Sequence, residues 1–214
     1  ASTLMAADRP LVVSGGSLQS EDVLHAAGNV SRALARRAKR GGLTLIRREA
    51  NSTGISLMGG YTLDWALDEL EQGRADAVVV LENDLYQRLP ADRVDAALAR
   101  ADIVVALDHQ HTATMAKANF TLSAASFAEA DGTLVNLEGR AQRFFQVYDP
   151  SYLRPETRIH ESWRWLHVLT VNLWGQKTSD ITLDTAIGSC VADHPVLVGM
   201  VDAAPSANYR VDGL

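Results

Sequence analysis

The 214 residues carry 47% apolar and 21% charged side chains and a formal charge of −6 at pH 7. These values belong to a globular chain with room for one well-cored domain or a domain plus an appendage, and they exclude wholesale disorder and non-specific nucleic-acid binding through the bulk surface. No apolar run approaches the roughly 20 residues that span a bilayer, and the first ten residues lack the basic-then-apolar order of a secretory signal.

In chain order, ASTLMAADRP has no initiator methionine, so processing or excision from a longer polypeptide is expected. Leu11-Val12-Val13 reads as a short strand ending in the turn Ser14-Gly15-Gly16-Ser17. Ser20 is placed to cap a helix with Glu21 and Asp22 in its first turn, where negative charge suits the dipole. Val23, Ala27, Val30 and Leu34 share one face of it. Arg36, Arg37, Lys39 and Arg40 crowd its end before Gly41-Gly42, and a helix C-terminus accounts for such cations without an anionic ligand. Leu43–Ile46 is a second strand and residues 51–60 (NSTGISLMGG) a loop. Thr62 caps a helix through Gln72, with Leu63, Ala66, Leu67 and Leu70 inward and Gly73 beyond it.

Ala77–Leu81 (AVVVL) reads as a parallel strand covered on both faces. Pro90 opens a helix to Ala99, Ile103–Leu107 is a strand, Thr112–Lys117 a short helix, and Phe120–Leu122 the last strand. Single helices between strands imply right-handed crossovers. Residues 1–125 are therefore expected to form an α/β domain with a doubly wound, mostly parallel Rossmann-like sheet. Residues 126–150 form a polar connector. Residues 151–214 form a C-terminal helical appendage, with helices over Ser162–Trp174 and Leu183–Ala192 and an extended, exposed tail from Val201.

Cys190 is the sole cysteine. An iron–sulfur cluster usually takes four thiolates and a zinc ribbon a similar set, so these residues alone can build neither. Within TAIGSCVAD it reads as buried and structural, without the positive surroundings of a reactive thiol. Three polar clusters sit at the carboxyl ends of predicted strands, where open α/β sheets bind ligands. They are Ser14–Ser17, Glu82-Asn83-Asp84 and Asp108-His109-Gln110-His111-Thr112. Neither the dinucleotide nor the P-loop glycine fingerprint is present. His109 and His111 lack third and fourth metal ligands at fixed spacing, and His25, His160, His167 and His194 are scattered. No G-x-S-x-G elbow presents a serine nucleophile. Trp163, Trp165 and Trp174 on one helix read as packing anchors.

The stretch Phe127–Phe144 is unusual. It strings Glu129, Asp131, Asn136, Glu138, Arg140 and Arg143 among glycines, with too few apolar residues for an ordinary core element. Asp131-Gly132-Thr133 reads as a turn, Asn136 and Glu138 flank a short extended piece, and Gly139 offers a second bend. Burying such a loop requires its carboxylates to pair with arginines and backbone amides.

The longer run VVALDHQHTATMAKANFTLSAASFAEADGTLVNLEGRAQRF resembles the third domain of the molybdopterin oxidoreductase superfamily. Members tend to read V-x-D-x-x-x-T-x-x-x-A-x-x-x-L-P-A-x-x-x-E-x-D-G-T-x-x-N-x-E-G-R-x-Q. The matching residues are Asp108, Thr112, Ala116, Leu122, Ala124, Glu129, Asp131, Gly132, Thr133, Asn136, Glu138, Gly139, Arg140 and Gln142, and Ser123 stands where the proline is expected. The wording of LENDL and AQRFFQVYDP is similar to the large iron–sulfur subunits of bacterial respiratory NADH:quinone oxidoreductase, complex I. The likeness covers most of residues 8–170.

The resemblance implies a parent subunit that takes part in electron transfer from NADH to quinone through iron–sulfur clusters lying outside these residues. This chain would be a non-catalytic part of its molybdopterin-enzyme-like body, holding no cofactor of its own. The implied partners are the rest of the subunit and the other hydrophilic-arm subunits, on the cytoplasmic side and peripheral to the inner membrane. No nucleic acid and no direct membrane insertion are implied. The alternative is part of a molybdopterin guanine dinucleotide-dependent, formate dehydrogenase-like oxidoreductase, with residues 82–84 and 108–112 at the nucleotide; a third reading is a free-standing nucleotide-binding module. The residues that would form either a ligand site or a structural seam between domains are Asp108, His109, Thr112, Glu129, Asp131, Gly132, Thr133, Asn136, Glu138, Gly139 and Arg140. The seam is preferred.

Overall fold

The computed structural model describes residues 2–18, 20–37, 40–175 and 181–203. The chain divides into two compact units, one of residues 1–58 with 134–142 and one of residues 59–133 with 143–214. Its parallel strands pair in two separate sheets, two and three strands wide, rather than in the single sheet expected. The α/β class holds.

The first unit contains α1 (Ser2–Met5), β1 (Leu11–Gly15), α2 (Glu21–Ala35), β2 (Gly42–Ile46) and α3 (Ser52–Met58). The strands β1 and β2 run parallel, registered from Leu11 opposite Gly42 to Gly15 opposite Ile46. Ser20 caps α2 as expected, its hydroxyl accepting from the Val23 amide at 3.4 Å. The inward face of α2 differs from the predicted stripe: Leu34 is buried, while Val23 and Val30 are exposed. The less exposed positions are Leu24, Ala27, Gly28, Ser31 and Leu34. The Ser31 hydroxyl donates to the Gly42 carbonyl at 3.3 Å, so a polar group occupies part of the packing face. Helix α3 replaces the predicted loop. Its serine, threonine and glycine are weak helix formers that hide it from a propensity reading.

The second unit holds α4 (Leu63–Glu71), β3 (Ala77–Leu81), α5 (Ala91–Leu98), β4 (Ile103–Asp108), β5 (Phe120–Ser123), α6 (Ser162–Leu173), α7 (Leu183–Asp193) and α8 (Gly199–Ala203). Thr62 caps α4 by accepting from the Trp65 amide at 3.2 Å, and Gly73 follows it at φ 66°. The strands β3, β4 and β5 are parallel and adjacent in that order. Val80 and Val104 form a core with Leu85, Val94 and Leu98, and Leu67, Leu70 and Ala97 join α4 to α5. The predicted cover on both faces of β3 is not found: Val79, Leu81, Ile103 and Phe120 are exposed. An unbroken apolar run reads alike whether one face or two are packed.

The strands do not end at β5. Within the polar stretch, β6 (Gly132–Val135) pairs with β7 (Ala141–Phe144). Residues 134–142 of this hairpin cluster with the first unit and its base with the second. Val201–Ala203, expected to be extended, end α8; the remaining tail, residues 204–214, lies outside the described residues. Among the described residues no helix is long and apolar enough to cross a membrane.

Candidate functional site

Two of the three polar clusters meet at the carboxyl edge of the second unit's sheet. Asp84 lies in the loop after β3, and its Oδ1 accepts from the Tyr86 amide (3.4 Å), the Thr114 amide (3.2 Å) and the Thr114 hydroxyl (2.8 Å). Thr114 Oγ1 in turn accepts from the Leu85 amide at 2.8 Å. Thr114 is fully buried at 0% exposure, and sequence reasoning missed it because an interior threonine carries no motif. Asp108, 8% exposed, ends β4; its Oδ1 accepts from the Gln110 amide at 3.0 Å and lies 3.2 Å from His109 Nδ1. Thr112 is a local cap, its hydroxyl accepting from the Met115 amide at 3.2 Å. Glu82, at φ 45°, is the one non-glycine residue with positive φ among the described residues, and its carboxylate accepts from the Ser162 hydroxyl. The third cluster, Ser14–Ser17, belongs to the first unit. There Gly15 serves packing: a Cβ would lie 2.7 Å from the Ile46 carbonyl oxygen on β2.

The polar stretch directs its side-chain acceptors at backbone amides within it and just beyond its ends. Glu129 Oε2 accepts from the Ser126 amide at 2.9 Å, and Asp131 Oδ1 from the Gln146 amide at 2.6 Å. Asn136 Oδ1 accepts from the amides of Glu138 and Arg140, both at 2.9 Å. Asn136 and Glu138 therefore sit in the hairpin turn between β6 and β7 rather than on either side of an extended piece. Gly139 supplies the expected bend at φ 78°. Gly132 is needed for a different reason than the one expected. It lies in β6 without a positive φ, and a Cβ there would meet the Phe144 ring at 2.3 Å, so the ring crosses where only hydrogen fits.

Carboxylate–arginine pairing takes two forms. Glu138 and Arg140 approach at 3.2 Å on the surface, where screening leaves such a pair worth little. The buried guanidinium is instead Arg143, whose side chain is 2% exposed and whose Nη1 donates to Asp184 Oδ1 on α7 at 2.7 Å. Arg143 Nε and Thr133 Oγ1 are buried without a hydrogen-bond partner. Arg143 belongs to the polar stretch but not to the candidate site residues, and Asp184 was not singled out at all, since each lies outside the matched motif. Sequence reasoning also missed Asn51, whose Oδ1 accepts from the Val135 amide at 2.9 Å within the first unit.

The tryptophan expectation holds in part. Trp163 Nε1 donates to the Asp131 carbonyl (3.2 Å) and Trp165 Nε1 to the Ser123 carbonyl (2.9 Å), whereas Trp174 is exposed. His160 lies edge-on to Trp165 with ring centroids 5.1 Å apart. Cys190 is half-buried, and burial followed by the charge of Asp193 pushes its thiol above the ordinary range, the reverse of an activated nucleophile.

The chemistry of this arrangement is that of fixed turns. Asp84, Asp108, Glu129, Asp131 and Asn136 each point an acceptor at a backbone amide. A pterin or nucleotide ligand would have to compete with these bonds, and one cysteine cannot hold an iron–sulfur cluster. The one cysteine does not supply the thiolates of such a cluster. Among the described residues no three His, Cys, Asp or Glu side chains form a group able to hold a metal ion.

Comparison with known proteins gives a consistent match. The molybdopterin oxidoreductase family profile fits residues 2–156. The G subunit of the NADH-quinone oxidoreductase of Pseudomonas putida is 52% identical over 100% of this chain and 24% of its own length. The corresponding protein of Escherichia coli is 53% identical over 98% of this chain and 23% of its own. The chain thus spans about a quarter of the length of the curated relatives it matches.

Proposed function

This chain belongs to the molybdopterin oxidoreductase family, and from that premise we propose that it is a non-catalytic structural part of the G subunit of an NADH-quinone oxidoreductase. In this reading the parent polypeptide passes electrons from NADH toward quinone through iron–sulfur clusters held elsewhere along its length. These residues shape and attach its body on the cytoplasmic side, peripheral to the inner membrane. Their partners are the rest of that polypeptide and the neighbouring hydrophilic-arm subunits.

The observation that carries the reading is the identity, 52% across the whole of this chain, with a protein of that name. The engagement of acidic side chains with backbone amides supports the non-catalytic role. The preference for a structural seam over a ligand site at Phe127–Phe144 is part of the proposal and rests on the same engagement. The division into a body of residues 1–125, a connector of 126–150 and an appendage of 151–214 is part of the proposal. So is the Rossmann-like winding of β3–α5–β4, supported by its parallel register over five positions.

The test is replacement. The matched segment of the Escherichia coli relative is exchanged for this chain, and assembly and NADH-driven quinone reduction are measured in membranes. Assembly with activity close to the parental enzyme is expected. Stoichiometric molybdenum or pterin retained by the purified 214-residue chain would overturn the structural role.

A further inference from the structure

We infer that the amino edge of the first unit's sheet is a docking surface for an acidic polypeptide segment. The inference goes beyond the electron-transfer reading and does not depend on it. Arg9 lies two residues before β1 and Arg40 two residues before β2, and the register that pairs Leu11 with Gly42 continues the two chains side by side there. The Arg40 amide donates to the Asp8 carbonyl at 3.2 Å and the Gly42 amide to the Pro10 carbonyl at 3.1 Å, which fixes both arginines at one edge. Arg36 and Arg37 follow the last residue of α2, and that helix end is held against the same edge, since a Cβ on Gly41 would meet the Ala35 Cβ at 3.2 Å. All four arginines are exposed, and among the described residues none of them pairs with a carboxylate.

The helix dipole explains only half of this cluster. It favours Arg36 and Arg37 at the end of α2, but Arg9 and Arg40 lie off the helix and gain nothing from it. The charge is also unevenly divided. The first unit has nine Lys and Arg against five Asp and Glu, a net of +4, while the second has eleven against twenty-one, a net of −10. Four arginines on one edge offer forks that match carboxylates in a bidentate way, which lysines do not. Leu4, Met5 and Leu11, exposed nearby in the chain, add the apolar component that accompanies arginine at protein interfaces. The carboxylate-rich segment of a protein partner fits this mixture.

The test titrates fluorescein-labelled poly-L-glutamate with the intact 214-residue chain and reads anisotropy. Binding is expected at low salt, against the net charge of the whole molecule, and should vanish at about 0.5 M salt. The variant Arg36→Gln/Arg37→Gln/Arg40→Gln should weaken it about tenfold, whereas Arg74→Gln/Arg88→Gln/Arg100→Gln in the second unit should leave it within about twofold. A second variant, Arg36→Lys/Arg37→Lys/Arg40→Lys, keeps the charge and loses the fork, and should fall between. Equal weakening by both glutamine variants overturns the assignment. So does tighter binding to phosphatidylglycerol vesicles or duplex DNA than to polyglutamate, which would mark a phosphate-recognising surface instead.

Discussion

The two units are built from the same kind of strand and differ in what covers it. In the second, Leu67, Leu70, Val80, Val94, Leu98 and Val104 lie at or below 7% exposure around β3 and β4. In the first, Leu11, Val13 and Ile46 on the sheet are 58–64% exposed, and Leu34 and Val135 are the buried apolar residues among those described. Parallel pairing needs only backbone complementarity, but stability comes from area removed from water. A parallel ribbon with one helix against it makes the first without much of the second. The chain therefore carries its free energy of folding mainly in α4, α5 and the strands they pack on.

The sharpest way to break this contrast is Leu67→Ala. Loss of a fully packed leucine should cost about 2–5 kcal/mol, whereas Val13→Ala in the first unit should cost less than about 1 kcal/mol because the side chain is already half in water. All four tryptophans belong to the second unit. Denaturant unfolding followed by tryptophan fluorescence thus reports that unit alone, while circular dichroism reports both. Leu67→Ala should move the fluorescence midpoint strongly and Val13→Ala should not. Equal shifts would show that the two units share one core.

Next in size is Thr114→Val, which keeps the shape and removes both polar contacts. The Leu85 amide loses its acceptor and Asp84 loses the 2.8 Å hydroxyl donor. Burying the orphaned groups should cost roughly 1–3 kcal/mol, read as a lower fluorescence midpoint; Thr114→Ser should recover most of it. In the first unit, Asn51→Ala should cost only about 1 kcal/mol, because Val135 N–H loses a single side-chain acceptor. Its signature is local: faster hydrogen exchange at Val135 with little change at Leu107.

Much of the second unit was legible from its residues, and the reasons are specific. Thr62, Leu63, Leu67, Leu70 and Gly73 give cap, stripe and stop for α4 in one short window, and AVVVL has no rival reading to a strand. The first unit was less legible because Ser31 takes a packing position and α3 contains Gly54, where a Cβ would lie 2.4 Å from Asn51 Oδ1. The candidate site was legible as a motif but not as geometry. Gly139 supplies the bend expected of it, while Asn136 holds the turn instead of flanking an extended piece, Asp131 accepts from an amide fifteen residues away, and Gly132 answers to an aromatic ring twelve residues later. Arg143 and Asp184 are forty-one positions apart, and no local pattern predicts such a pair.

The smallest effect separates the units by pH. Tyr86 donates to Asp95 Oδ1 at 2.6 Å, and Lys117 Nζ stands 2.8 Å from the same carboxylate. Burial first, then the bond to Asp95, pushes the tyrosine hydroxyl from 10 up to about 12. The bond from Lys117, then that from Tyr86, holds the Asp95 carboxyl below its ordinary range. Between pH 10 and 12 the unfolded chain therefore releases a proton that the folded chain retains. The native state binds more protons in that window, so stability falls as pH rises through it. Tyr86→Phe should flatten this alkaline slope while lowering the neutral-pH midpoint only slightly. The first unit contains no tyrosine, so Tyr86→Phe should leave the alkaline response of its residual circular-dichroism transition unchanged. An unaltered fluorescence slope in Tyr86→Phe would show that the Tyr86–Asp95–Lys117 cluster does not bind α5 to the loops around it.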